Sequence, residues 1–213
     1  GDGSIVFICA RVGGSFRYYL STDFGGSFTQ VPAGNLPTAI GRAECTVTDV
    51  KNENGFYNIY VSASTGGGQL HSVRLSEDHG VTWTNIGPGG SPAFSPFSTS
   101  LSSQGNYDQT ISYWPGFPDI CVLGGIDQYQ WTKTPGSSPT FGGWQQISLW
   151  SAHPSSPNYI HADNHEMKFN SIGQYFYGND GGVGSQNFAF YPTNRGYNVT
   201  QFDSVAHDRN GAV

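Results

Sequence analysis

The side chains best suited to chemistry lie close together in the segment HADNH, residues 161 to 165. On a β-strand alternate residues point to the same face, so His161, Asp163 and His165 would share one face. Imidazole nitrogens and a carboxylate oxygen suit zinc or a similar divalent ion. The spacing therefore makes these three residues a candidate metal site. The prediction for the protein as a whole is that it has no cofactor, with a divalent metal at this site as the alternative.

Two alternatives compete with that metal site. The first is a buried hydrogen-bond network among the imidazoles, the carboxylate and nearby backbone, and the sequence favours it. The second is catalysis: Asp180 lies on the turn after the next predicted strand and approaches Asp163 if the two strands pair. Asp180 can equally cap the turn at Gly181 and Gly182. The sequence names no catalytic residue outright, and Asp163 and Asp180 are the pair that a hydrolase would use.

Short strands joined by turns must position these side chains. Aromatic residues make up 15% of the 213-residue chain and charged residues 11%, with 30 Gly and 12 Pro. Frequent turn residues break the chain into runs of strand length, and no long segment carries a clean 3.6-residue apolar stripe. The chain is therefore predicted to be all-β.

A repeated pattern organises these strands. The sequence contains Ser-x-Asp-x-Gly-x-(Ser/Thr)-aromatic twice, as STDFGGSF and as SEDHGVTW. The closing aromatics Phe28 and Trp83 are 55 residues apart, and Trp144 ends a degenerate copy 61 residues later. Three or four short strands fit between these marks, which predicts four-stranded antiparallel units. The predicted units are residues 4–34, 44–86, 107–148 and 161–199, with an insertion loop at 87–105 and the start of a further unit at 200–213.

The repeated pattern has the chemistry of a turn. Its carboxylate can accept hydrogen bonds from its own turn, its glycine can adopt a positive φ, and its aromatic can anchor the next strand in the core. These jobs leave the carboxylate little capacity for a ligand, so the pattern is interpreted as structural. The residues in question are Ser21, Asp23, Gly25 and Phe28 in the first copy, and Ser76, Asp78, Gly80 and Trp83 in the second.

Charge and hydropathy exclude some partners. The net charge of -6 provides no basic surface for nucleic acid or an anionic membrane. No apolar run approaches the roughly 20 residues that span a bilayer, so no transmembrane segment is predicted. The low charge and the many Gly, Ser, Asn and Tyr residues are typical of an extracellular protein.

Three cysteines cannot all pair within one chain. Buried free thiols at Cys9, Cys45 and Cys121 are the favoured interpretation. A bridge between Cys9 and Cys45 on neighbouring strands is the alternative, and the sequence does not decide between them.

The repeated pattern resembles the Asp-box, or BNR repeat, of β-propellers in sialidases, sortilin-type receptors, xyloglucanase-type hydrolases and many secreted bacterial proteins. The stretches HADNHEMKFNSIGQYFYGNDGGVGSQN and TQFDSVAHD, at 161–187 and 200–208, are similar to large propellers of secreted or cell-surface bacterial proteins, many of them exported by type IX secretion. The resemblance implies a β-propeller of four-stranded blades, with about four blades in this chain and more in the complete ring. A small ring closed by pairing of residues 200–206 with residues 5–11 is the alternative.

The resemblance also frames the function. A sialidase needs clustered arginines for its substrate carboxylate, and the arginines here are scattered. A xyloglucanase-type hydrolase needs two carboxylic acids across a cleft. The predicted function is a non-catalytic extracellular or cell-surface scaffold that binds protein or glycan partners on a loop-rich face, within a larger polypeptide or assembly. A glycoside hydrolase is the alternative.

Overall fold

The fold consists of antiparallel sheets and one short 3-10 helix. A computed structural model describes residues 2–32, 34–87, 94, 96–99, 102–170 and 174–186. The first sheet contains β1 (Val6–Val12), β2 (Ser15–Ser21) and β3 (Thr29–Gln30). The second contains β4 (Arg42–Lys51), β5 (Tyr57–Ser64), β6 (Leu70–Ser76) and β7 (Thr84–Gly87).

The other two sheets follow the same meander. The third contains β8 (Thr110–Trp114), β9 (Phe117–Gly124), β10 (Gln128–Thr132) and β11 (Gly143–Gln146), with a 3-10 helix at Pro139–Phe141. The fourth contains β12 (Asn164–Phe169), β13 (Tyr175–Asn179) and β14 (Gly182–Gln186). Residues 187–213, which include the rest of the predicted fourth unit and the predicted further strand, lie outside the described residues, as do residues 88–93, 95, 100 and 101 of the insertion loop.

The four sheets are the blades of a β-propeller. The first strands of the second, third and fourth sheets, β4, β8 and β12, lie side by side, and each sheet packs its face against the next. In the first sheet the repeated turn follows β2, whereas in the second it follows β6. The described strands of the first sheet therefore correspond to the last three strands of the second.

Aromatic side chains fill the space between sheets. Trp83 packs against Phe7 between the first and second sheets, with ring centroids 5.5 Å apart. Trp144 Nε1 donates a hydrogen bond of 2.6 Å to the carbonyl oxygen of Ile86, between the second and third sheets. Trp114 contacts Phe169 between the third and fourth sheets. The aromatic that ends the repeated pattern thus joins neighbouring blades at Trp83 and Trp144, because these wide rings span the gap that two sheet faces leave.

The strands define two faces of the ring. We call the end at which β4, β8 and β12 begin the upper face. Two of these strand starts lie together, because Gln109, just before β8, donates to the carbonyl oxygen of Ser62. Ser62 lies near the end of β5, which pairs with the start of β4. The repeated turns lie at the opposite end, which we call the lower face, because Ser76 pairs with Ile59 near the start of β5. The predicted reactive segment and the repeated turns therefore occupy opposite faces.

Candidate functional site

The segment HADNH differs from the predicted strand. β12 begins only at Asn164, and Asp163 has a φ of 65°, in the left-handed region that Asp tolerates better than most residues. The prediction that alternate residues from His161 to His165 share one strand face was therefore wrong, because the chain turns before the strand begins. Of the three predicted ligands His161, Asp163 and His165, only His165 lies on the strand.

A buried amide network anchors the start of β12. Asn164 is fully buried, and its Nδ2 donates to the carbonyl oxygen of Gly125 at 2.8 Å. Gln128 Nε2 donates to Asn164 Oδ1 at 2.7 Å, and the Tyr175 hydroxyl donates to Gln128 Oε1 at 3.1 Å. These bonds hold the backbone at Asp163 and His165 in place, since breaking any of them would leave a polar group buried without a partner.

Asp163 forms a carboxyl pair with Asp108, which lies just before β8. Gln104 Nε2 donates to Asp163 Oδ1 and, at 3.2 Å, to Asp108 Oδ2, so the two carboxyl groups share one amide donor. Asp108 is fully buried, and this burial raises its pKa to about 8. No N–H or O–H group in the described part of the chain donates to Asp108 Oδ1, which fits an oxygen that carries a proton itself. At neutral pH the Asp108 carboxyl group therefore retains its proton.

Burial and the nearby charge of Asp180 also raise the pKa of Asp163. Two ionised carboxylates in contact repel each other strongly, so the pair holds one shared proton over a wide pH range.

Asp180 binds His165, as the pairing of β12 with β13 allows. His165 Nε2 lies 2.8 Å from Asp180 Oδ1, and the Tyr107 hydroxyl lies 3.5 Å from Asp180 Oδ2. The Tyr107 ring meets the His165 ring edge-on, with centroids 4.8 Å apart. The negative charge of Asp180 raises the pKa of Tyr107. Asp180 does not cap the following turn, contrary to one prediction; Asn179 Oδ1 accepts the Gly181 N–H at 3.0 Å instead.

His161 lies against this turn. A Cβ atom at Gly181 would stand 2.6 Å from His161 Cγ, so the histidine ring fits only because residue 181 is glycine. His161 Nδ1 lies 3.1 Å from the carbonyl oxygen of Ala162. In the described part of the chain no three His, Cys, Asp or Glu side chains are arranged to hold a metal ion. A divalent metal at His161, Asp163 and His165 stays a prediction.

The structure adds three site residues that the sequence did not reveal: Gln104, Tyr107 and Asp108. They lie at and beyond the end of the predicted insertion loop, and Arg42 Nη1 holds their segment through a hydrogen bond of 2.7 Å to the Tyr107 carbonyl oxygen. Gln104 is 59 residues from its partner Asp163 along the chain, and Tyr107 is 73 residues from its partner Asp180. The one local signal in the sequence is Asp108, a carboxylate placed directly before a predicted strand of the neighbouring unit.

The two repeated turns on the lower face have the same construction. In the first, the Ser21 hydroxyl donates to Asp23 Oδ1 at 2.6 Å and accepts the Gly25 N–H at 2.9 Å. In the second, the Ser76 hydroxyl makes the corresponding bonds to Asp78 and Gly80 at 2.9 and 2.7 Å. Both glycines have positive φ.

Each turn also binds its carboxylate from the opposite side. Ser27 donates to Asp23 through its N–H and its hydroxyl, and Thr82 does the same to Asp78. Hydrogen bonds from Ser21 and Ser27 lower the pKa of Asp23 to about 2. Burial opposes the change at Asp78, but its hydrogen bonds lower that pKa too. The carboxylates are occupied by their own turns, which supports the structural interpretation.

The two closing aromatics of these turns differ. Trp83 is half-buried against the core, and its Nε1 donates to the Gly80 carbonyl oxygen at 3.1 Å. Phe28 is 42% exposed, so the prediction that it anchors the next strand in the core was wrong. The strand that follows it, β3, has only two residues and offers little sheet surface for a ring to cover.

The comparisons with known proteins identify the fold. A crystal structure of a GH74 enzyme from Niastella koreensis is similar to 87% of this chain and to 27% of that chain, with a TM-score of 0.53 and 17% identity. A variant of the NanB sialidase from Streptococcus pneumoniae aligns with 84% of this chain and 26% of its own, with a TM-score of 0.47 and 15% identity. The chain spans about a quarter of the length of the solved structures it matches.

At 17% identity the GH74 similarity shows a shared fold and no more. No protein-family model matches the sequence, and no curated protein matches it. Among the residues that the structure describes, no helix has the length and apolar character needed to cross a bilayer.

Proposed function

We propose that this chain is part of an extracellular or cell-surface β-propeller that binds a glycan at the upper-face cluster of Tyr107, Asp163, His165 and Asp180. One observation carries the proposal: an accessible aromatic ring stands beside accessible hydrogen-bonding side chains. Tyr107 is 50% exposed, and the side chains of His165 and Asp180 are 35% and 22% exposed. Asp108 and Asn164 lie beneath them and are fully buried, so the cluster has a fixed floor and an open top.

The chemistry of the cluster suits a neutral sugar. A sugar ring has an apolar face that packs on an aromatic ring and hydroxyl groups that donate to carboxylate oxygens. Asp163 and Asp180 would repel a phosphate or a carboxylate ligand, since like charges brought together in an interface cost several kcal/mol. A polyol without charge avoids that repulsion.

The binding test uses xyloglucan oligosaccharides as the first probe, because the repeated pattern resembles that of xyloglucanase-type hydrolases and a GH74 enzyme is among the similar solved structures. Isothermal titration calorimetry on the purified chain should detect binding. Tyr107→Ala and Asp180→Asn should each weaken it about tenfold or more, the loss of one stacking or charged hydrogen-bond contact. Phe141→Ala is the matched control, because Phe141 is an exposed aromatic on the 3-10 helix.

Binding that is unchanged in both site variants would remove the cluster from the proposal. A panel of uncharged glycans that all fail to bind would reject the glycan proposal itself and leave protein partners as the remaining class.

Hydrolysis is a second candidate function, favoured by the raised pKa of Asp163 beside Asp180. An acid that retains its proton next to a carboxylate is the arrangement that glycoside hydrolysis requires. Asp163 would pass the proton that it shares with Asp108 to the leaving oxygen, and Asp180 would act as nucleophile or base. Asp108 does not fit either role, because it contacts Asp163 directly and is buried, whereas the two carboxyl groups of a glycosidase stand about 5 to 9.5 Å apart.

Release of reducing ends from xyloglucan tests this candidate. Asp163→Asn and Asp180→Asn should abolish release, and Asp163→Asn should retain binding because an amide keeps the shape of the site. Binding by the wild-type chain without any release would reject hydrolysis and retain the binding module.

We further propose that the four blades belong to a larger ring in a secreted or surface-exposed polypeptide. The resemblance of residues 161–187 to large secreted propellers supports this, as does the alignment of the chain with 27% of the GH74 chain. Export by type IX secretion rests on that resemblance.

A further inference from the structure

Two of the three cysteines face each other across the first pair of sheets. Cys9 lies on β1 of the first sheet, and Cys45 lies on β4 of the second. Both are partly buried and pack against the same apolar cluster, which also contains Phe7. The structure holds them as free thiols.

The contacts of Cys45 place its sulfur at β1. Cys45 Sγ lies 3.8 Å from the carbonyl oxygen of Phe7, two residues before Cys9 on the same strand. Side chains two residues apart on a strand point to one face, so Phe7 and Cys9 both face β4. β1 and β4 pack against each other, and Cys9 and Cys45 contact the same apolar cluster. Both thiols therefore belong to the interface between β1 and β4, where a disulfide would join the two sheets.

We propose that Cys9 and Cys45 form a disulfide bond that joins the first two blades when the protein meets a disulfide oxidant. The bond would add a covalent link where β1 of the first sheet packs against β4 of the second. It does not depend on the proposed glycan site, which lies on the other sheets.

The pair is also prepared for thiol–disulfide exchange. The hydrogen bond from the Cys9 thiol lowers the pKa of Cys45, and the same contact raises the pKa of Cys9. Cys45 is therefore the first thiolate to form, and the thiolate is the attacking species.

The exchange balances in two steps. The Cys45 thiolate attacks one sulfur of oxidised glutathione, forms a mixed disulfide and releases one glutathione thiolate. Cys9 then loses its proton and attacks the Cys45 sulfur, which releases the second glutathione. Two protein thiols lose two protons and two electrons, and one glutathione disulfide is reduced to two thiols.

Cys121 provides an internal control. It is fully buried on β9 in the core between the second and third sheets, and burial raises its pKa well above the usual value. A buried thiol of high pKa reacts slowly, so Cys121 should stay reduced under conditions that oxidise the other two.

The test equilibrates the folded wild-type chain in a glutathione buffer at an extracellular redox poise, unfolds it and labels the remaining thiols. Mass spectrometry should find one label per chain, compared with three after reduction, and a peptide pair linked through Cys9 and Cys45. Cys121→Ser should carry no label and the same link. Cys9→Ser and Cys45→Ser should show no internal link.

Three labels on the equilibrated wild-type chain would overturn the proposal. A link that includes Cys121, or a stable glutathione adduct on Cys45 that Cys9 does not displace, would overturn it as well. The wild-type measurement needs no variant, so failure of a variant to fold leaves the test intact.

Discussion

Replacing the buried Asp108 by Asn is predicted to stabilise the protein at neutral and alkaline pH. The folded pKa of Asp108 is about 8, whereas an unfolded aspartate titrates near 3.8. Between these values the folded chain binds more protons than the unfolded chain, so the stability falls as the pH rises. Asn has the shape of the protonated acid, can donate to Asp163 and accept from Gln104, and never ionises.

The magnitude follows from the pKa difference. Each pH unit between the two pKa values costs about 1.4 kcal/mol. From pH 4 to pH 8 the unrelaxed loss is therefore about 5 kcal/mol, and local relaxation around a buried charge reduces it to roughly 2–4 kcal/mol. We expect Asp108→Asn to exceed the wild type by about that amount at pH 8 and to lie within about 1 kcal/mol of it at pH 4.5.

Urea unfolding at pH 4.5 and pH 8 measures both free energies. Asp127→Asn is the matched control, because Asp127 is also buried but accepts from Trp150 N at 2.8 Å, from Ser148 and from Gln146. The amide nitrogen introduced by this change would face groups that donate hydrogen bonds to Asp127. The change should therefore lower the free energy of unfolding by about 1–3 kcal/mol at pH 8. An Asp108→Asn variant that is equally destabilised at both pH values would show that Asp108 does not hold the shared proton.

Three further predictions concern stability and are checked by chemical denaturation. Gly80→Ala should cost about 1–2 kcal/mol, because residue 80 has a φ of 82° and a Cβ is strained there. Trp144→Phe should cost about 1–3 kcal/mol, because it leaves the buried carbonyl oxygen of Ile86 without its 2.6 Å donor. Lys133→Met should destabilise the protein at pH 7, because the side chain of Lys133 is 3% exposed and lies 2.6 Å from Glu77, whose carboxylate would lose its partner.

Each of these changes has a matched control. Gly66→Ala tests a glycine with no atom within 4 Å and no positive φ, Trp150→Phe tests a 45% exposed indole, and Lys168→Met tests a lysine whose side chain is 76% exposed. All three controls should stay within about 0.5 kcal/mol of the wild type. A control that loses as much as its partner would contradict the stated physical reason.

The sequence by itself determined the local architecture. The turns at Asp23 and Asp78 could be predicted because the hydrogen bonds of their serine and aspartate side chains join residues no more than four positions apart. Their repetition, with Trp83 and Trp144 at the same place in successive units, then predicted antiparallel blades. The pairing of β12 with β13 was also within reach, since a short hairpin brings His165 to Asp180.

Tertiary structure alone decided the composition of the site. Gln104, Tyr107 and Asp108 reach Asp163 and Asp180 only because the third and fourth blades pack side by side, and such contacts leave no periodic signal in the chain. The segment before Asn164 turns rather than extends, because the buried Asn164 is held by Gly125 and Gln128 of the third blade. The raised pKa of Asp108 has the same origin. Burial raises the pKa of a carboxyl group because neighbouring residues exclude water from it, and the sequence alone does not identify those neighbours.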